Sequence, residues 1–248
     1  MKRVLDPGDL ETMDHSEAAA CDLELALEQS RKLNQRLGCT RLLRYFIRSW
    51  IRPGRSYRIL DLETDSGEVP RLIADWARKG KIVVRIDAVG SNPALLEIAR
   101  RRSIAYPEIS FIREEAYRYC NEQTYDLVCC AHLLCKYTDE DASRLLGHAC
   151  QLSHDKVLAF GIDRQMAVVP QVFFETTTVF RPPAAKKDAR RSLKRSYSFS
   201  ELDALAQRAG WQNYGHQRFL PGSQALWLCK LEAQPVIDCE LPAPDFAG

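Results

Sequence analysis

Residues 57–68 read Tyr57-Arg58-Ile59-Leu60-Asp61-Leu62-Glu63-Thr64-Asp65-Ser66-Gly67-Glu68, a short apolar run that breaks into an acidic, polar turn with one glycine. Pro53-Gly54 closes off what precedes it, so 57–62 is expected to be a buried strand. Beyond the turn, Val69, Leu72, Ile73 and Trp76 fall on one helical face that runs to Lys79, and Pro70 is tolerated because it sits in the first turn. Strand, tight turn and helix in this order make one βα unit.

The unit repeats. Strands are expected at 81–89, 109–113, 125–131 and 156–162, and helices at 93–102, 139–152 and 200–209, the last opened by Ser200 as N-cap with Glu201 in its first turn. Strands alternating with helices imply a mostly parallel sheet covered on both faces, with ligands bound beyond the carboxyl ends of the strands. Residues 218–221 and 224–231 depart from this pattern and read as a closing antiparallel pair.

Upstream, Ala18, Leu23, Leu25, Ala26, Leu33 and Leu37 recur near a period of 3.6, as do Leu42, Leu43, Phe46, Ile47 and Trp50, with Gly38 between the two helices. The expected organisation is a helical cap over 1–55, a main domain over 56–232 and a Pro-rich, poorly ordered tail over 233–248. Segment 165–196 joins an apolar piece (166–174), a Pro182-Pro183 break and the cations Lys186, Lys187, Arg190, Arg191, Lys194 and Arg195. It reads either as a solvated basic helix or as a lid inserted over a substrate pocket.

Composition narrows the function classes. The 248 residues carry a net charge of +2, with 46% hydrophobic and 27% charged residues, the balance of an ordinary globular chain with no overall field for nucleic acid or anionic surfaces. The basic run lacks interleaved aromatic residues for base stacking, which argues against nucleic acid. No stretch approaches 18 apolar residues and the N-terminus lacks an apolar signal segment, so the expectation is a cytoplasmic protein without a membrane span. Nine cysteines without a C-x-x-C pair or a histidine at zinc spacing read as reduced, mostly buried small hydrophobes, with no metal.

Four further marks carry a resemblance: Ile59-Leu60-Asp61 running into the glycine-bearing turn; Ser91-Asn92-Pro93 with Leu96, Ala99 and Arg100; Tyr125-Asp126-Leu127-Val128; and Ser198-Phe199-Ser200 with Leu202, Leu205, Ala209 and Gly210. In this order they resemble the class I S-adenosylmethionine-dependent methyltransferases over residues from about 30 to 231, and within them the bacterial methyltransferase-domain proteins distantly similar to ubiquinone/menaquinone C-methyltransferases. The resemblance implies an α/β, Rossmann-like fold with a seven-stranded, mostly parallel sheet. It also implies S-adenosylmethionine as cofactor.

The resemblance places that cofactor against Asp61, Glu63, Thr64, Asp65, Gly67, Gly90, Ser91, Glu115, Ala116 and Ala131. It also marks where this chain departs. The turn of such enzymes usually carries glycines at the positions of Glu63, Asp65 and Gly67, and only the last is glycine here. The acid that usually grips the ribose falls on Gly90; Asp87, three residues earlier, would serve only if the loop were longer, and its odd spacing points it to the other sheet face. Glu115 matches the acid that meets adenine. The histidine pair usual near the transferred methyl is replaced by Cys135 and Lys136, leaving His132 as the candidate general base, with Lys136 and Tyr137 nearby.

Two functions follow from this. One is methyl transfer to a small, apolar or aromatic molecule at oxygen or carbon, which needs alignment more than a fixed catalytic residue. The other is a catalytically inactive methyltransferase-fold pseudoenzyme that acts as a binding or assembly partner. Losing a ribose carboxylate removes charged hydrogen bonds of roughly 1.5–3 kcal/mol each. A total of about 4 kcal/mol would weaken binding about a thousandfold. A homodimer or a protein partner is left open. The single glycine of the turn excludes the G-x-G-x-x-G fingerprint of a nicotinamide dehydrogenase.

Overall fold

The computed structural model describes Arg3 and residues 20–165, 168–178 and 183–230. Two helices, α1 (Ala20–Arg36) and α2 (Cys39–Trp50), precede β1 (Ser56–Leu62), α3 (Glu68–Lys79), β2 (Val83–Gly90), α4 (Pro93–Arg102), β3 (Ile109–Arg113) and β4 (Tyr125–Ala131). A 3-10 turn (Leu134–Lys136) leads to α5 (Asp139–Leu152), β5 (Ser153–Ile162), α6 (Val168–Thr178), α7 (Pro183–Arg195), α8 (Phe199–Arg208), β6 (Gly215–Phe219) and β7 (Ser223–Cys229).

The seven strands form one sheet in the order β3-β2-β1-β4-β5-β7-β6. The first five pair in parallel, and β7 pairs antiparallel with both β5 and β6. The order reverses between β1 and β4, so their carboxyl ends flank a switch point, where a doubly wound sheet leaves room for a ligand.

Side-chain alternation along each strand feeds two cores. Tyr57 and Ile59 pack with residues of α2, α3, α6 and α7 on one face, whereas Leu60 and Leu62 pack with α5 and α8 on the other. Helix starts are set by local chemistry. The Asn92 side chain accepts from the amides of Ala94 (2.9 Å) and Leu95 (3.1 Å) ahead of α4, with Pro93 in the first turn. Thr138 caps α5, where Asp139, Glu140 and Asp141 meet the positive end of the helix dipole.

Three expectations are corrected. Helix α8 begins at Phe199 and its cap is Ser198, not Ser200, because Glu201 reaches back to the Ser198 amide at 2.8 Å and closes a capping box. Strand β5 starts at Ser153, which pairs with Tyr125, so its polar first residues hid it. Strand β6 lies at Gly215–Phe219 rather than 218–221: it has little apolar alternation of its own and is drawn into the sheet by β7, with the Trp227 indole lying where a Cβ on Gly215 would be.

Segment 165–196 contributes two packed helices. Val168, Val172 and Leu193 enter the first core, and α7 packs on α6 and on the 3-10 turn at Leu134–Lys136. The tail at 233–248 and residues 1–19 apart from Arg3 lie outside the described residues, as do Val179 and Phe180. Among the described residues no helix is long and apolar enough to cross a membrane, and no cluster of His, Cys, Asp or Glu could hold a metal ion.

Candidate active site

The turn after β1 keeps a left-handed backbone at alternate residues, with φ of 61° at Glu63, 44° at Asp65 and 72° at Gly67. A non-glycine residue in this region costs roughly 1–2 kcal/mol. Two backbone bonds hold the turn between these residues, one to the neighbouring strand and one local: the Thr64 amide donates to the Val89 carbonyl at 2.7 Å and the Gly67 amide to the Thr64 carbonyl at 2.8 Å. Gly67 is required for space as well, since a Cβ there would lie 3.2 Å from Ala99 Cβ and 3.3 Å from Phe111. The glycine-type geometry therefore survives although two of its three glycines do not.

The two acids at the strained positions share one cation. Lys136 Nζ donates to Asp65 Oδ1 at 2.9 Å and lies 3.8 Å from Glu63 Oε1. Burial alone would lower the Lys136 ammonium, but the carboxylates of Asp65 and Glu63 outweigh it and hold the charge well above the usual lysine range. Glu63 is itself raised by burial and partly restrained by Lys136. Its Oε1 also accepts from Ser91 Oγ at 3.0 Å, so the carboxylate extends from the first turn to the end of β2.

Beneath this network Asp61 is 1% exposed, and neither carboxyl oxygen has a hydrogen-bond partner among the described residues. Thr64 Oγ1 stands close without completing a bond and is itself unpartnered. Burial pushes the Asp61 carboxyl up to about 8, and the negative charges of Asp65 and Glu63 push the same way. A buried carboxyl with no partner is expensive, and such groups concentrate where a ligand supplies what the protein does not.

The other strand ends are less complete. Gly90 has no side chain, and a Cβ there would meet Leu96 Cδ2 at 3.2 Å and Thr64 Cγ2 at 3.7 Å. Asp87 does not reach the site. It sits inside β2 opposite Leu60 and accepts from the Tyr125 hydroxyl at 2.6 Å, on the face away from Gly90, as its odd spacing requires. Glu115 pairs with Arg118 at 3.1 Å on the outer rim, while Ala116 and Ala131 are packed into the walls. Tyr137 lies between Glu63 and Glu115, and burial followed by the Glu63 charge moves its phenol up to about 12.

Beside Leu134 and Cys135 of the 3-10 turn a cavity of about 30 Å³ opens between the ends of β4 and β5 and the start of α8, lined also by His132, Phe160, Ser196, Tyr197, Leu202 and Gln224. It has room for a water or two, well short of the roughly 300 Å³ of a small-molecule pocket. His132 has a left-handed φ of 54°, stacks edge-on with Phe160, and is lowered by burial to about 4, so its imidazole is neutral at ordinary pH. Sequence reading missed Ser196, Tyr197 and Gln224, which are brought together only by tertiary contacts such as Gln224 Nε2 donating to the Tyr197 carbonyl at 2.7 Å. It also missed Arg3, whose guanidinium donates to the carbonyls of Arg195 (2.8 Å) and Tyr137 (2.6 Å) and to Asp139 (2.6 Å) beside the site.

No family model matches the sequence, and no curated protein matches it. Solved structures do. The plantazolicin methyltransferase BpumL, in complex with a triazolic desmethylPZN analog and SAH, superposes with a TM-score of 0.63 at 10% identity over 92% of this chain and 100% of that one. Magnesium protoporphyrin IX methyltransferase from Synechocystis PCC 6803 with bound SAM gives 0.56 at 13% identity over 92% and 98%. A putative O-methyltransferase from Nostoc punctiforme PCC 73102 gives 0.56 at 17% identity over 82% and 60%. These likenesses establish the fold as that of the class I, S-adenosylmethionine-dependent methyltransferases.

Proposed function

We propose that this chain binds S-adenosylmethionine across the carboxyl ends of β1, β2 and β4 and transfers its methyl group to a small, apolar or aromatic molecule at oxygen or carbon. The observation that carries the reading is the turn at 63–67, which holds a strained, glycine-type backbone at Glu63 and Asp65 above an unpartnered Asp61. Strain of this kind persists where a site demands it.

The residues present suit the ligand in a rearranged way. With Asp61 protonated near neutrality, the carboxylates of Glu63 and Asp65 outweigh the Lys136 ammonium by one negative charge. That sign attracts the cationic methyl donor more than its neutral demethylated product. Asp65 and Asp61 would receive the ligand's ammonium, Lys136 its carboxylate, and Glu63, at the end of β2, the ribose hydroxyls that Gly90 cannot reach. When bound, the ligand supplies an electrophilic methyl on a sulfonium; the chain has to align the acceptor and keep water out. Neutral His132, between Asp65 and the cavity, is placed to take a proton from an acceptor hydroxyl. A cavity of about 30 Å³ admits no such acceptor, so its lining must open for entry, and Ser196 and Tyr197, which follow α7 directly, are the part of that lining joined to the α6–α7 segment.

A second reading has its own observation. Lys136 already occupies the space between Glu63 and Asp65, which would suit a methyltransferase-fold protein that has closed its cofactor site and serves as a binding partner. Calorimetric titration with S-adenosylmethionine and with S-adenosylhomocysteine separates the two. Saturable binding below about 100 µM supports the enzyme, and absence of heat and of thermal stabilisation at millimolar ligand removes it in favour of the closed-site reading.

A further inference from the structure

We infer that the α6–α7 hairpin docks on an anionic lipid surface. On α7, Lys186, Lys187, Arg190, Arg191 and Lys194 are spaced at i, i+1, i+4, i+5 and i+8 and line one shallow depression of about 430 Å³. Lys187 and Lys194 are exposed, and the helix carries a single acid, Asp188. The adjoining helix shows water a different chemistry. Pro170, Phe173, Phe174, Thr177 and Thr178 are exposed along α6, with Phe174 at 69%.

The two faces are continuous, because Arg190 lies over the Phe173 ring at 4.7 Å and donates to Thr176 Oγ1 and Thr177 Oγ1 at 2.9 and 2.7 Å. Helix α6 carries one acid, Glu175, against the five cations of the stripe, and a basic stripe beside an aromatic-bearing surface is the arrangement that settles between lipid headgroups and acyl chains. The net charge of the chain is only +2, so the attraction belongs to this patch and not to the molecule as a whole. A polyanion such as RNA would use the stripe but gives no reason for an exposed Phe174 on the helix beside it. Val168, Val172 and Leu193 anchor the same hairpin in the core, and α7 runs directly into Ser196 and Tyr197, which line the cavity at His132.

The test is sedimentation of the full chain with vesicles of phosphatidylcholine alone or mixed with phosphatidylglycerol. Binding is expected to the mixed vesicles only, and to fade as salt shortens the screening length from about 30 Å at 0.01 M to about 3 Å at 1 M. Each cation is worth about fivefold in partitioning, so Lys187→Glu with Lys194→Glu should weaken binding at least about 25-fold. Phe174→Ser should weaken it about tenfold. Lys79→Glu with Arg85→Glu, the same net-charge change on exposed positions of α3 and β2, should leave it unchanged. Variants are compared after their melting temperatures have been matched to the parent. Equal binding to neutral vesicles, indifference to the α7 pair, or an equal effect of the control pair overturns the inference. Binding to single-stranded RNA in preference to anionic vesicles overturns it in favour of nucleic acid. None of these readouts depends on the cofactor reading.

Discussion

Lys136→Met is the change whose effect differs in sign between the two functional readings. Methionine keeps the packed stem and removes the charge from between Glu63 and Asp65, whose side chains are 10% and 41% exposed. Breaking a buried ion pair costs about 3–5 kcal/mol, and the exposure of Asp65 brings this down to ~2 kcal/mol here. At about 2–4 °C per kcal/mol for a chain of this size, the ligand-free variant should melt about 4–8 °C lower. The informative quantity is the affinity for S-adenosylhomocysteine divided by that for 5′-methylthioadenosine, which shares the nucleoside but lacks the amino-acid head. If Lys136 receives the ligand carboxylate, the variant loses one charged hydrogen bond of about 1.5–3 kcal/mol, and the ratio falls by about 10- to 100-fold with thioadenosine binding unchanged. If Lys136 instead fills the place of the ligand's ammonium, the ratio rises. Calorimetry on both proteins reads it directly, and a rising ratio would refute the exchange proposed for Lys136.

Four other outcomes are expected. Asp61, ordinarily near 3.8 and held at about 8 in the fold, keeps its proton in the native state where the unfolded chain has lost it, so native stability falls as pH rises from 4 through about 8; Asp61→Asn should be more stable than the parent at pH 9 in urea titrations by up to about 5 kcal/mol, with the gap closing below pH 4. Glu63→Ala should weaken adenosine binding at least about tenfold. Gly90→Asp should restore that binding in the Glu63→Ala background but not improve the parent, and failure to restore it would remove Glu63 from the ribose. His132, lowered to about 4, should show no imidazole titration in proton NMR between pH 5.5 and 8, and a midpoint near 6.5 would contradict its burial. Gly215→Ala drives a Cβ into the Trp227 indole and should destabilise the fold by about 1–3 kcal/mol in denaturant melts.

How far the fold could be read from the chain depended on whether the signal was local. Helices α4 and α5 and strands β3 and β4 fall where their residues predict, because Asn92-Pro93 and Thr138 with its three acids start the helices and short apolar runs bounded by turn residues make the strands. Strand β6 was misplaced since little in Gly215–Phe219 marks a strand until β7 pairs with it. Segment 165–196 offered two readings for a related reason: the cations of α7 dominate its composition, while Leu193, which fixes its inner face, is a single residue. In the site, parity along β2 was enough to turn Asp87 away from Gly90. Nothing in the sequence linked Lys136 to Asp65, 71 positions apart, or gathered Ser196, Tyr197 and Gln224 around His132.

Taken one at a time, the altered positions read as losses: two glycines, a ribose acid and a histidine pair. The geometry makes them interdependent. Acids at 63 and 65 would repel each other and the buried Asp61 if nothing cationic stood near, and Lys136 stands there at 2.9 and 3.8 Å. A carboxylate missing at Gly90 is matched by one at Glu63 that reaches the same strand end through Ser91. Random decay of a site has no reason to keep a left-handed backbone under Glu63 and Asp65 at a cost of roughly 1–2 kcal/mol each, since relaxing the turn would recover that energy. The retained strain, the closed set of charges and the unpartnered Asp61 are better explained by a site under present demand than by an abandoned one, and this is why cofactor binding leads the proposed function even though Lys136 now fills the gap.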